Sequence, residues 1–194
     1  MRIVGTDSVE VERALAAGEL GCPVCGGRLS PWGSARERVV RCAGGEQRRC
    51  PRRTRCVECR VTHVLIWEDT LLRRRDEVAV IGAALTAKAA GHGYRYSAVV
   101  SGVPVSTVRG WLRRFAAAVV EIRVWFTALA HDLDRLLSPV QPAGSVFADA
   151  VEAVGVAARA AVLRLGVRAP WSFASAVSGG RLLSNTGCPW AAGV

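Results

Sequence analysis

Gly91–Phe115, GHGYRYSAVVSGVPVSTVRGWLRRF, is the stretch on which the reading of the whole chain turns. Its pattern predicts a short helix over Tyr94–Ser101, with Ala98 and Val99 facing inward. A turn follows at Gly102-Val103-Pro104. A second helix over Val105–Phe115 then places Val105, Val108, Trp111, Leu112 and Phe115 on one apolar face at helical spacing. The opposite face carries Ser106, Thr107, Arg109, Arg113 and Arg114. Two helices joined by so tight a turn need a residue free to take positive φ between them, and Gly102 supplies it. The arrangement is that of a helix-turn-helix whose second helix can enter a major groove: small polar groups reach base edges and arginines grip phosphates or a guanine. Pro104 stands where a Ser or Thr cap is more usual, but proline suits a first helical turn. The competing reading is an ordinary amphipathic helix pair in an all-α core.

Upstream, Asp76–Ala90 reads as the preceding helix, with Val78, Ile81, Leu85 and Ala89 inward and Asp76 and Glu77 at its positive end. Before it lies Arg73-Arg74-Arg75, a basic linker placed to touch a phosphate or the minor groove.

Further upstream, residues 21–67 carry two C-x2-C knuckles, Cys22-Pro23-Val24-Cys25 and Cys56-Val57-Glu58-Cys59, with 30 residues between them. Each pair sets two thiolates at the tip of a tight turn, at the separation of one edge of a tetrahedral zinc site. The glycine after Cys25 lets backbone amides turn toward sulfur; the second knuckle has Arg60 at that position. Weak alternation at residues 38–41 and the β-prone run Val61–Trp67 supply strands for a zinc ribbon. Cys42 and Cys50 stand as alternative ligands or a second site, although their spacing is unusual for ligation. His63 can ligate as Cys59-x3-His63, but a strand histidine facing DNA or solvent is the stronger reading. Between the knuckles, residues 48–55, RRCPRRTR, hold Arg48, Arg49, Arg52, Arg53 and Arg55 without an acid. Read as a loop held rigid by the ribbon, this stretch contacts phosphate; read as solvated charge, it does nothing specific.

At the chain start, a short extended stretch leads into a helix from about Ser8 to Ala17, capped by Ser8 and ended at Gly18. Downstream of Phe115 a helix continues or restarts through Leu137, with Val119, Ile122, Phe126, Leu129, Leu133, Leu136 and Leu137 in one stripe. Core packing and a homodimer seam explain that stripe equally well. Residues 138–144 read as a connector, 145–165 as a last helix, and the low-charge tail, with Cys188 as a plain thiol, as a docking segment for a protein partner.

Charge agrees with a polyanionic partner. The 194 residues hold 26 Lys+Arg against 16 Asp+Glu, a formal +10, and residues 28–75 alone contribute +8 of it. The N-terminal residues are acidic and lack an apolar core, and no run of about 20 apolar residues occurs. A cytoplasmic protein without membrane contact is expected, and there cysteine pairs ligate metals more often than they form disulfides.

In this order, CPVCGG, RTRCVECRVTHVLI, the basic linker and STVRGWLRRF, the chain resembles the N-terminal region of bacterial insertion-sequence transposases and small actinobacterial transposase-like helix-turn-helix proteins. The likeness covers residues 22–115. It implies zinc held by Cys22, Cys25, Cys56 and Cys59 and double-stranded DNA held by the polar face of residues 105–114. Full transposases add a catalytic domain whose acids hold magnesium. Here the acids after residue 115 are Glu121, Asp132, Asp134, Asp149 and Glu152, all in helical segments. The expectation is therefore DNA binding without an enzyme activity, as an accessory, truncated or regulatory protein, with a protein-interaction module as the alternative. The expected fold is mainly α with a small β zinc ribbon. It divides into an N-terminal arm (1–20), the ribbon (21–70), a helix-turn-helix domain with an extended following helix (76–137), and a C-terminal helix and tail (145–194).

Overall fold

A computed structural model describes residues 1–184. The chain is mixed α/β rather than mainly α, because residues 29–67 fold into more strand than their arginine content suggests. After β1 (Arg2–Val4) and α1 (Ser8–Ala16) come five strands: β2 (Leu29–Ser34), β3 (Arg38–Cys42), β4 (Gly45–Arg49), β5 (Arg52–Cys56) and β6 (Thr62–Trp67). Four of the strands form one sheet in the order β1-β6-β5-β2, with β1 parallel to β6 and the other pairs antiparallel. The stretch expected as an arginine loop is thus two strands. β3 and β4 form a hairpin in which Cys42 pairs with Gly45, so Ala43-Gly44 is a two-residue turn. Pro51, which has no amide proton to give a ladder, sits between β4 and β5.

α1 is capped by Asp7 rather than Ser8. Its carboxylate accepts from the Val9 amide at 2.9 Å and the Glu10 amide at 3.3 Å. Val11 and Leu15 of this helix close a small core with Val4, Leu29, Leu65, Cys22 and Cys56.

The helical part follows as α2 (Val78–Ala89), α3 (Tyr94–Ser101), α4 (Val105–Ala116), α5 (Val119–Leu133), α6 (Val146–Ala160), α7 (Val162–Leu165) and α8 (Pro170–Val177). α2 starts two residues later than expected, since Asp76 is bound elsewhere and Glu77 takes the extended cap position. It packs against α3, α4, α6 and α8, so Val80, Ala84 and Ala87 are buried beside Val78, Ile81 and Leu85. Gly82 is needed at one of those contacts: a Cβ there would stand 2.0 Å from the Trp171 ring of α8.

α3 and α4 join through Gly102 in the left-handed conformation, φ 65°. The inward residues of α3 are Ser97 and Ala98, while Val99 is 79% exposed, contrary to expectation. Small side chains let α3 lie close on α2, and the Ser97 hydroxyl is satisfied within its own helix by donating to the Gly93 carbonyl at 3.2 Å. α4 buries Val108, Trp111, Leu112 and Phe115; Val105, in its first turn, lies at the free end of that stripe and is exposed.

The stripe on α5 is covered by α6 of the same chain. Ile122, Phe126 and Ala130 are fully buried there. The helix ends at Leu133, short of Leu137, and Leu136 is 95% exposed. Ser145 caps α6 by accepting from the Ala148 amide at 3.1 Å. The tail as far as residue 184 is part of the fold: Phe173, Ala174, Leu182 and Leu183 are buried in the helical core. Cys188 and the rest of the expected docking segment lie outside the described residues.

Five contacts tie the strands and the linker to one another and to the helical part. Arg41 of β3 pairs with buried Asp76 at 2.8 Å. Arg49 of β4 holds both Asp69 and Glu77 at 2.6 Å. Ser175 of α8 donates to the Thr70 carbonyl at 2.7 Å, and Arg74 to that of Leu183 at 2.8 Å. Burial pushes both Asp69 and Asp76 above the usual carboxylate range, against the pull of Arg49 and Arg41 respectively. No helix among the described residues is long and apolar enough to cross a membrane.

Candidate metal centre and cationic groove

Each knuckle folds for a local reason. In the first, the Gly26 amide donates to the Cys22 carbonyl at 2.8 Å, and Gly26 takes φ 78°. In the second, Arg60 occupies the equivalent place with φ 62°, so a side chain accepts the left-handed conformation that glycine takes in its counterpart. The Val24 amide points at the Cys22 sulfur at 3.4 Å.

β2 and β5 pair Leu29 with Cys56, which brings the two knuckles to one end of the sheet. The Sγ atoms of Cys22, Cys25, Cys56 and Cys59 all lie within 4.8 Å of one another. Cys25 and Cys56 are 3.5 Å apart and Cys22 and Cys59 3.7 Å. A disulfide requires about 2.05 Å; the edge of a tetrahedron with Zn–S bonds of about 2.3 Å is about 3.8 Å. The four sulfurs are thus close enough to hold a metal ion, and an all-thiolate donor set suits zinc.

The thiols differ in acidity. Burial opposes ionisation of Cys22, yet the amides of Val24 and Cys25 and the neighbouring thiols outweigh it and bring the group to about 6. Burial pushes Cys56 up to about 12, and its amide hydrogen bonds do not compensate. Cys22 therefore forms a thiolate readily, whereas Cys56 needs a cation to lose its proton.

His63 departs from expectation. It faces neither solvent nor a groove: it is 4% exposed, and its Nε2 lies 3.3 Å from the Cys22 sulfur. An Nε2–H at that place donates to a thiolate and orients it, as outer-shell groups do around metals. Its Nδ1 lies 3.2 Å from the Met1 amine. Period-two alternation in β6 carried this signal, because it sets His63 on the face opposite Thr62 and Val64. Cys42 and Cys50 form no second cluster. They sit at opposite ends of the β3–β4 hairpin, Cys42 donating to the Val40 carbonyl and Cys50 to that of Ala35.

The arginines expected at DNA divide by environment. Arg49 leaves the candidate set: it is 18% exposed and bound to two internal carboxylates. Arg48, Arg52 and Arg75 pair with Glu37, Glu12 and Glu46 at the surface. Such exposed pairs contribute about 1 kcal/mol or less, so a phosphate can displace them. Arg53 is exposed, and Arg55 lies over the Trp32 ring.

On α4, Ser106, Arg109 and Arg113 are exposed, with Thr107 and Arg114 half-buried. Ser106, Thr107, Arg113 and Arg114 line a groove of about 430 Å³ with Arg73 and Arg74 of the linker; Arg41 and Asp76 stand at its wall. Burial lowers the Arg74 pKa, and the nearby Arg114 charge lowers it further, so like charges are held together on this wall. Arg109 lies outside that groove, over the Tyr94 ring of α3 at 5.2 Å.

Comparison of the chain with protein-family models, curated proteins and solved structures finds no match.

Proposed function

We propose that the chain is a double-stranded-DNA-binding protein in which a zinc ribbon at Cys22, Cys25, Cys56 and Cys59 braces a helix-turn-helix, with α4 as the reading helix. One observation carries this reading: Ser106, Thr107, Arg113 and Arg114 of α4 and the linker arginines Arg73, Arg74 and Arg75 line a single cationic groove. α4 packs through Val108, Trp111, Leu112 and Phe115, which leaves Ser106, Arg109 and Arg113 of its other face open to solvent. Like charges gathered without enough carboxylates to neutralise them are stabilised by an arriving polyanion. Ser106 and Thr107 stand near the helix start, where side chains reach base edges; Arg73, Arg74, Arg109, Arg113 and Arg114 supply phosphate contacts. The likeness to transposase N-terminal regions supports a role tied to a mobile element or to transcription control, and this reading assigns no chemical step to the chain.

The test is anisotropy titration of a random-sequence duplex and of duplexes selected from a random pool, over a range of salt. Binding should weaken steeply with salt. Arg109→Ala with Arg113→Ala should weaken it at least about tenfold and flatten the log–log salt slope by about one per phosphate contact removed. Absence of duplex binding in low salt, or indifference to both substitutions, overturns the reading.

A further inference from the structure

A second surface, sharing no residue with the α4 groove, lies on the four-stranded sheet. Trp32 is 51% exposed, and no other tryptophan among the described residues is exposed. Its position is built. The β2–β5 register slips between Pro31 and Ser34, and Gly33 within the slip takes φ 87°. Bulges of this kind re-aim a side chain; here an indole is turned out to water on an edge strand, where it joins no apolar core.

The surroundings are cationic. The Arg55 guanidinium lies 4.7 Å from the centre of the Trp32 ring, and its Nε is held by the Arg60 carbonyl at 3.1 Å. The registers Ser30↔Arg55, Arg55↔Thr62 and Arg53↔Val64 put Ser30, Arg53, Arg55, Thr62 and Val64 on one face of the sheet. No carboxylate stands among them, and among the described residues neither Arg53 nor Arg55 has a carboxylate partner. The neighbouring Arg52, at the start of β5, is paired with Glu12 at 3.0 Å.

We infer that this face binds single-stranded nucleic acid, with an unpaired base stacked on Trp32 and the backbone phosphates on Arg53 and Arg55. Flat aromatic rings beside unneutralised arginines hold single strands by stacking and charge together. A duplex offers the phosphates but not the base: its π-faces are hidden in the helical stack. An aromatic ring held open to water therefore selects strands with unpaired bases. Arg55, lying over the indole, fixes its plane and adds cation–π attraction.

The experiment compares a short oligothymidylate and the matching oligouridylate with a duplex of equal length, all by anisotropy in low salt, using the zinc-loaded full chain. Trp32→Ala should weaken oligothymidylate binding about tenfold, the loss of one stacked base. Trp32→Phe should retain most of the affinity, and Arg53→Ala with Arg55→Ala should flatten its salt dependence. Duplex affinity should stay within about twofold in Trp32→Ala. Equal loss with the uridylate means the face reads unpaired bases of either sugar, which supports the inference; loss with the thymidylate alone supports it for DNA. Zinc content and circular dichroism identify any variant that fails to fold; if Trp32→Ala does, Arg53→Ala with Arg55→Ala carries the test, and oligothymidylate binding equal to that of the unaltered chain then overturns the inference. If the unaltered chain binds neither oligonucleotide, or if Trp32→Ala binds them as the unaltered chain does, the inference falls. Duplex binding through α4 is read in its own arm, so either proposal can fail alone.

Discussion

The core beneath the cysteine cluster and the core around Phe115 differ in how much apolar surface they hide. The first consists of Val4, Val11, Leu15, Leu29 and Leu65 with two of the cysteines themselves. The second gathers side chains from α2, α4, α5, α6 and α8, with Phe115, Phe126 and Phe173 buried at its centre. Burying one large apolar side chain contributes about 1.5–3 kcal/mol, and ordering each residue costs about 1–2 kcal/mol in backbone entropy alone. So small a core gives a region of several strands little to fold on, whereas the helical core is several times larger. A cross-link at the sulfurs would supply what the β part lacks, and the four convergent cysteines are close enough to hold a metal ion that makes one. The contrast also explains the junction. Arg41 with Asp76 and Arg49 with Asp69 and Glu77 tie the weaker part to the stronger through ion pairs largely withdrawn from water.

The comparison breaks most decisively at the metal. Chelation, or Cys22→Ser with Cys56→Ser, should unfold the sheet region while the helices persist, with a loss on the order of 10 kcal/mol of metal-linked stability. Hydrogen exchange resolved by segment reads this directly; equal protection of β5 and β6 with and without metal would show that the small core suffices. The acidity of the thiols gives the sign with pH. Cys56 is pushed up to about 12, so binding must release protons, and affinity should rise as pH rises.

A smaller effect sharpens the comparison at the junction. Asp76→Ala leaves Arg41 half-buried without its partner and should cost about 3 kcal/mol. Thermal unfolding should then separate into two transitions, the β part melting first. A single transition shifted as one unit would mean that the other contacts suffice to couple the regions.

The smallest test is within the second knuckle. Arg60 holds φ 62°, a conformation costing a side-chain-bearing residue about 1 kcal/mol. Arg60→Gly should therefore raise stability by up to about that amount in denaturant titration. A loss would show that the Arg60 side chain makes a contribution larger than its backbone strain.

Parts of this molecule were legible because they rest on short-range chemistry. Gly102 announced the left-handed turn between α3 and α4, and the spacing of Val108, Trp111, Leu112 and Phe115 announced the buried face of α4. Two C-x2-C pairs announced four sulfurs at one place. What stayed hidden needed partners distant in sequence. RRCPRRTR has the look of a loop, since nothing in those residues says that Arg38–Cys42 and Leu29–Ser34 will pair with them. The inward face of α3 was misjudged for a related reason. Apolar Val99 outranks Ser97 by hydropathy, but the close approach of α2 admits only small side chains.

The amino-acid order by itself determined the local geometry: knuckles, turns, caps and the apolar stripes of helices, all set by neighbours within a few residues. Only the tertiary structure decided which charges are free. It placed Arg49 between two carboxylates, His63 against the Cys22 sulfur, Arg73 and Arg74 beside α4, and Trp32 out in water. Whether an arginine is a structural tie or an open cation depends on which distant carboxylate lies within a few ångströms, and chain folding alone sets that distance.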